Sequence, residues 1–184
     1  MFKSNYLLLS LVVILCAGCS TIRVSQDYVP NTDFASMGSF AWQSDSQPET
    51  GDIRLDDPLL NERIRTAIER TFASRYAKAE RASANFLIAY TLGLQQKIKS
   101  DDTQTGVMVG TGSRGTFGGF GIGTGSGVET YDQVILFIDV LDPQRGKLLW
   151  RGKGTDIFSE HAEPEEITRQ VNELVEKILA KFPP

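Results

Sequence analysis

The sequence contains very little cysteine. Of its 184 residues only Cys16 and Cys19 are cysteines, and both lie close to the N-terminus. A domain that starts at Cys19 therefore has no pair of cysteines for a disulfide and no thiol nucleophile within its folded part. Its stability must come from a hydrophobic core, and catalysis by a thiol is not expected.

Histidine is equally scarce, since His161 is the only one. A Ser-His-Asp triad would have to use it as the base, and no nucleophile-elbow pattern accompanies it. A metal site here would take nearly all its ligands from the acids around it, which are Glu160, Glu163, Glu165 and Glu166. The alternative is a solvated helix start, where carboxylates interact favourably with the helix dipole. We expect the helix start, with no metal, no cofactor and no catalytic residues.

The chain also has no apolar run long enough to cross a bilayer. Its longest run, residues 6–15, is about half of the roughly 20 residues that a spanning helix needs. Basic residues are not in excess either: removal of residues 1–18 leaves 18 basic and 23 acidic residues. This balance argues against nucleic acid as a partner and against a polybasic lipid-binding segment.

The N-terminal residues have the order of a bacterial lipoprotein signal. Lys3 supplies a basic start, residues 6–15 an apolar stretch, and Ala17-Gly18 a small-residue exit directly before Cys19. This pattern predicts a signal peptide at 1–18, lipid attachment at Cys19, and one domain over 19–184. Two or more acyl chains on Cys19 would give stable membrane attachment, which a single chain does not.

Two neighbours of Cys19 refine this prediction. The lipoprotein pattern usually has an aliphatic residue three positions before the modified cysteine, and Cys16 stands there instead. The alternative is an ordinary signal peptide that releases a protein into the periplasm. Ser20 after the cysteine is compatible with the outer membrane, where we expect the periplasmic face to carry the protein.

Apolar residues alternate with a period of two in several segments, which is typical of strands. This alternation predicts about five strands, at residues 20–28, 39–43, 86–94, 128–141 and 147–158. The fourth of these is apolar on both faces and should be central in the sheet. Residues 142–146 (Asp-Pro-Gln-Arg-Gly) predict a tight turn that joins it to the fifth strand.

Two segments have the one-sided apolar stripe of a surface helix. The first begins at Asp57-Pro58, where Asp can cap free amides and Pro fits the first helical position, and should end near 75–78. The second begins near Glu163-Pro164 and ends before Pro183. Together the elements predict an α+β fold: a two-layer sandwich of about five mostly antiparallel strands with two main amphipathic helices.

Ten of the seventeen glycines lie in residues 105–127. Glycine at this density favours a flexible loop or loose hairpin. Residues 110–115 match the glycine pattern of dinucleotide sites, but no helix can start after them, as such a site requires. Glycines recur every four residues from 115 to 127, as in membrane-helix packing motifs, yet the stretch is too short to span a bilayer.

Several segments together resemble a family of Gram-negative lipoproteins known as domain of unknown function 4136. The matching segments are residues 24–28, 33–34, 40–42, 84–90, 138–142, 149–152 and 182–184. One departure is Asn85, where that family would be expected to have Asp. The resemblance implies a compact α+β domain behind a lipoprotein signal, and it implies no activity or catalytic residues.

Two residue pairs remain as candidates for chemistry. Asp139 and Asp142 could act together in acid–base catalysis or bind a cation. Alternatively, Asp142 caps the turn, and Asp139 faces solvent or pairs with Arg151. Trp42 and Trp150 could line a ligand cleft, or be large core or edge-strand side chains.

We therefore expect a non-enzymatic envelope lipoprotein that binds a protein or another envelope component. A second hypothesis is a periplasmic protein that binds a small ligand or lipid between sheet and helices, with the glycine-rich segment as a lid. A third is a hydrolase whose site the sequence does not reveal.

Overall fold

The computed structural model describes residues 22–46, 49–100, 128–157 and 162–184, with side chains described except at 96–100 and 128–132. In chain order the elements are β1 (Arg23–Tyr28), a short 3-10 turn (Phe34–Ser36), β2 (Ser39–Trp42), α1 (Pro58–Ala73), β3 (Ala77–Lys78), β4 (Phe86–Ser100), β5 (Val128–Leu141), β6 (Leu148–Asp156) and α2 (Pro164–Leu179).

The strands form one mixed sheet in the order β1-β6-β5-β4-β2-β3. The pairs β1–β6, β6–β5 and β5–β4 are antiparallel, and β2 runs parallel to both β4 and β3. The α+β class is confirmed, but the expected number of about five strands is wrong, since the described part of the chain has six. The additional strand, β3, lies at residues 77–78, where the sequence pattern had predicted the end of α1.

Both helices pack on the same face of this sheet. Asp57 caps α1 by accepting a 2.8 Å hydrogen bond from the Leu59 amide, as the sequence predicted. The apolar stripe of α2 is also confirmed; its buried members are Val171, Leu174, Val175, Ile178 and Leu179. Neither helix in the described part of the chain is long and apolar enough to cross a membrane.

Helix α2 approaches the sheet closely because β6 has glycine at the contact points. A Cβ atom on Gly152 would overlap Ile178 and Trp150, and one on Gly154 would lie 2.6 Å from Leu174 Cδ1. Trp150 is fully buried, 5.1 Å from the Phe182 ring, and its indole N–H donates to Gln26 Oε1 at 3.1 Å. This packing joins the last two elements of the chain to the first strand.

No helix in the described part of the chain packs on the opposite face of the sheet, which we call the open face. At one end of it four small or aliphatic side chains form a separate cluster: Ala41, Ala84, Leu87 and Leu141. The rest of the face presents the alternate residues of β1, β6, β5 and β4, many of them polar.

The turn between β5 and β6 forms as predicted. Asp142 Oδ1 accepts hydrogen bonds from the amides of Gln144 (2.8 Å) and Arg145 (3.0 Å), which hold the pKa of its carboxyl below the usual value. Gly146 has a φ of +63°, a conformation that glycine adopts without strain.

Candidate functional site

Strand β4 is much longer than its neighbour β2. The pairing covers only Phe40 to Trp42, and the last hydrogen bond runs from the Gln43 amide to the Ile88 carbonyl at 2.9 Å. Beyond this point the chain leaves the sheet and is held by two arginines. Arg65 of α1 donates to the Ser44 carbonyl at 3.2 Å, and Arg81 donates to the Gln43 carbonyl at 2.7 Å.

This divergence leaves part of one edge of β4 without a pairing partner among the described residues. Successive residues of a strand point their backbone groups to alternate edges, so Tyr90 and Leu92 present theirs on the same side as Ile88. No described residue forms a backbone hydrogen bond with that side of β4 beyond Ile88. A groove of about 170 Å³ lies there; it is lined by Trp42, Gln43, Ser44, Ser46, Arg65, Ile88, Ala89, Tyr90, Thr91 and Asp139.

One wall of this edge groove is an aromatic ring held by charged groups. The guanidinium of Arg65 lies 4.0 Å from the centre of the Trp42 ring, a cation–π contact. The Trp42 indole N–H donates to Glu69 at 2.5 Å, and Lys78 donates to the same oxygen at 2.8 Å. Burial raises the pKa of Glu69, but these two hydrogen bonds together with the positive charges of Lys78 and Arg65 outweigh it and hold the pKa below the usual value. The wall is therefore fixed and its charges are paired.

Tyr90 forms the floor of the groove. Its ring is edge-on to Trp42 at 6.1 Å, and its hydroxyl donates to Asn61 Oδ1 at 2.6 Å. Burial raises the pKa of Tyr90 to about 12, so the phenol is neutral at physiological pH. It acts here as a hydrogen-bond donor and not as a base.

Asp139 reaches the groove from the open face. Its carboxylate receives two hydrogen bonds from Arg151, of 2.7 and 2.6 Å, and its side chain is only 10% exposed. The same contact raises the pKa of Arg151. Of the two predicted alternatives, the ion pair with Arg151 is confirmed.

Neither of the two residue pairs that the sequence suggested, Asp139 with Asp142 and Trp42 with Trp150, forms a common site in the structure. Asp142 uses its carboxylate within the β5–β6 turn, while Asp139 is engaged with Arg151. Trp42 lines the edge groove, whereas Trp150 is a core side chain and lines no such cleft with it. Trp150 is therefore the large core side chain that the sequence offered as an alternative, and a cleft shared by the two tryptophans is not present among the described residues.

Several predicted features lie outside the described residues: Cys19 with its signal, the glycine-rich segment 105–127, Glu160 and His161. Of the acids near His161, Glu166 pairs with Arg169 at 2.6 Å at the start of α2. In the part of the chain that the structure describes, no three His, Cys, Asp or Glu side chains are grouped in a way that could hold a metal ion.

The sequence pattern did not indicate Arg65, Glu69 or Tyr90 as site residues. Arg65 and Glu69 are four positions apart in α1 and therefore share one face of it, which is a detectable signal. Their partner Trp42 is 27 positions before Glu69, on a strand, and only the fold shows this contact.

Solved structures give distant likenesses. The chain matches a PDZ domain protein from Parabacteroides distasonis with a TM-score of 0.51 and 12% identity, over 96% of this chain and 40% of that one. The chain therefore spans less than half of that protein's length, and at this identity the match shows the fold alone. No curated protein matches the chain.

Two further structures match at lower TM-scores and carry no functional argument. A PelC dodecamer from Paraburkholderia phytofirmans has a TM-score of 0.42 and 12% identity, covering 87% of this chain and 96% of that one. A DUF4136 family protein from Bacteroides thetaiotaomicron has a TM-score of 0.43 and 19% identity, covering 90% and 97%. The model of the family described as Domain of unknown function (DUF4136) matches residues 24–184, and the chain belongs to that family.

Proposed function

We propose that the protein is a lipid-anchored, non-enzymatic module of the cell envelope that binds a partner polypeptide at the open edge of β4. The observation that carries this proposal is that the backbone groups of Tyr90 and Leu92 on the side away from β5 have no hydrogen-bond partner among the described residues, although both residues are largely buried. An extended peptide can add to such an edge through main-chain hydrogen bonds.

The groove beside this edge suits the side chains of an added strand. Trp42 is half-buried and offers aromatic surface, and Thr91 is exposed. At about 170 Å³ the groove is smaller than the roughly 300–1,000 Å³ typical of small-molecule sites. These dimensions favour a segment of a polypeptide over an enclosed small ligand.

The groups around the groove support binding more than catalysis. Asp139 is neutralised by Arg151, Glu69 by Lys78, and the Tyr90 phenol is un-ionised at neutral pH. A general base needs a pKa near the working pH and a free lone pair. Both carboxylates are engaged in ion pairs, and the phenol hydroxyl donates to Asn61.

Anchoring at the periplasmic face of the outer membrane is the second element of the proposal. It is supported by the leader pattern before Cys19 and by Ser20 after it. The test is fractionation of cells that express the wild type or Cys19→Ala, with mass determination of the purified protein. We expect an acylated N-terminus and outer-membrane location for the wild type only; an unmodified wild type would contradict the anchor.

The binding edge is tested separately by photo-crosslinking in intact cells. A photoreactive amino acid at Thr91, beside the edge, should give a reproducible adduct with one envelope protein. The same group at Gln144, in the exposed β5–β6 turn, is the matched control and should not give it. Absence of a specific adduct at Thr91, or the same adducts at both positions, would refute the proposed edge.

A further inference from the structure

A second pocket lies on the open face, where β1 begins. Here Arg23 is paired with Thr155 and Ser25 with Lys153 across β1 and β6, while Gln95 faces Gln133 across β4 and β5. These six side chains line a cavity of about 230 Å³. It is separate from the edge groove, with which it shares no lining residue.

The pocket has an unbalanced positive charge. Neither Arg23 nor Lys153 has a carboxylate partner among the described residues. Two carboxylates of the same face are already engaged: Asp139 with Arg151, and Asp27 with the Tyr28 amide at 2.9 Å. Two cations with a nearby Ser25 hydroxyl form an environment that suits an anionic oxygen group.

Gln133 gives an independent indication of a ligand. It is only 6% exposed, and its Oε1 atom is buried with no hydrogen-bond partner. Buried polar groups of proteins are nearly always satisfied, so such an acceptor calls for a donor from water or from a bound molecule. A ligand that fits here must bring a donor as well as a negative charge.

We infer that this pocket binds a phosphate ester that also carries a hydroxyl group, as found in the glycerophosphate head group of an anionic lipid. The phosphate oxygens accept hydrogen bonds from Arg23, Lys153 and Ser25, and the hydroxyl donates to Gln133 Oε1. The assignment to a lipid, and not to a free phosphate ester, rests on the proposed anchor. Arg23 follows Cys19 by four residues, which span at most about 14 Å.

The first test measures soluble ligands by titration calorimetry on the full chain carrying Cys19→Ala, so that no acyl anchor contributes. We expect sn-glycerol 3-phosphate to bind, with roughly tenfold weaker affinity in Arg23→Gln and in Lys153→Gln. Gln133→Leu should weaken glycerol phosphate but leave the affinity for inorganic phosphate unchanged, because only the hydroxyl contact is lost. Arg145→Gln, which removes an exposed cation of the β5–β6 turn, is the matched control and should change neither.

The second test distinguishes the source of the phosphate ester. The same Cys19→Ala chain should float with vesicles that contain phosphatidylglycerol and not with pure phosphatidylcholine vesicles, and Lys153→Gln should reduce flotation. Binding of soluble glycerol phosphate without vesicle preference would overturn the lipid assignment. Equal binding by the Cys19→Ala chain with and without the pair Arg23→Gln/Lys153→Gln, with unchanged thermal unfolding, would overturn the pocket itself. Because Cys19 is absent from every arm, these outcomes do not depend on whether the anchor exists.

Discussion

The contact between α2 and β6 gives a quantitative prediction for Gly152→Ala. The added methyl group would overlap Ile178 Cγ2 and Trp150 Cη2, and both of these side chains are fully buried. Neither atom is the end of a flexible side chain, since one is a branch methyl and the other belongs to a rigid ring. Overpacking of a core costs typically 1–3 kcal/mol, and we expect the upper end, about 3 kcal/mol.

The assay is equilibrium unfolding in urea, followed by tryptophan fluorescence. With a denaturant slope of about 2 kcal/mol per molar, the loss lowers the urea midpoint by about 1.5 M. Gly154→Ala meets the terminal Cδ1 atoms of Ile178 and Leu174, and also Ile178 Cγ1. Because two of these three atoms are side-chain ends that can move more easily, the variant should lose only about 1–2 kcal/mol. Gly93→Ala in β4 meets open space and should lose nothing.

The order of these three variants is the critical result. If Gly152→Ala unfolds at the same urea concentration as Gly93→Ala, α2 does not sit on β6 as described. A double variant with Ile178→Ala provides a further check. The double variant should lose at least about 1 kcal/mol less than the sum of the losses of Gly152→Ala and Ile178→Ala, because Ile178 Cγ2, one of the overlapping atoms, is absent from it.

Two further predictions concern single hydrogen-bonded groups. Burial raises the pKa of Tyr90 from 10.0 to about 12, so the contribution of this phenol to stability is fully present below pH 10 and is lost as the pH rises through 12. The difference in unfolding free energy between wild type and Tyr90→Phe should follow the same course. A difference that is already lost near pH 9 would contradict this prediction. Asn85 Oδ1 accepts from the Gly38 amide (3.1 Å), the Ser39 amide (3.0 Å) and the Ser39 hydroxyl (3.0 Å). In urea unfolding Asn85→Asp, which keeps the acceptor, should therefore retain wild-type stability, while Asn85→Ala should lose about 1–2 kcal/mol; equal losses would show that the acceptor is unimportant.

The elements that the sequence predicted correctly are those with strong local signals. Strand β5 has the predicted bounds, 128–141, because its alternation of apolar residues persists to the turn at Asp142. Helix α2 begins at Pro164, where proline and the acidic first turn mark a helix start. In both cases the side chains that decide the structure are adjacent in the chain.

The elements that the sequence did not predict depend on distant partners. Strand β3 has two exposed residues and no apolar pattern, and it exists because Ala77 pairs with Ser39. Strand β4 continues to Ser100, beyond the predicted end near 94, because β5 pairs with it throughout. The edge groove was missed for the same reason, since it results from a difference in length between two strands that are far apart in sequence.

The position of β1 has a consequence for how the chain reaches its folded state. Among the described strands its one partner is β6, and the bond from Trp150 to Gln26 joins residues 124 positions apart. At a synthesis rate of about 5–20 residues per second, β1 waits roughly 6–25 s before that partner has been made. Closing so long a loop is entropically costly and typical of slow folding. For this interval β1 has no sheet partner among the described strands, whereas β2, β3, β4 and β5 precede β6 in the chain and can already pair with one another. The first strand to be made therefore joins a sheet that the later strands have begun.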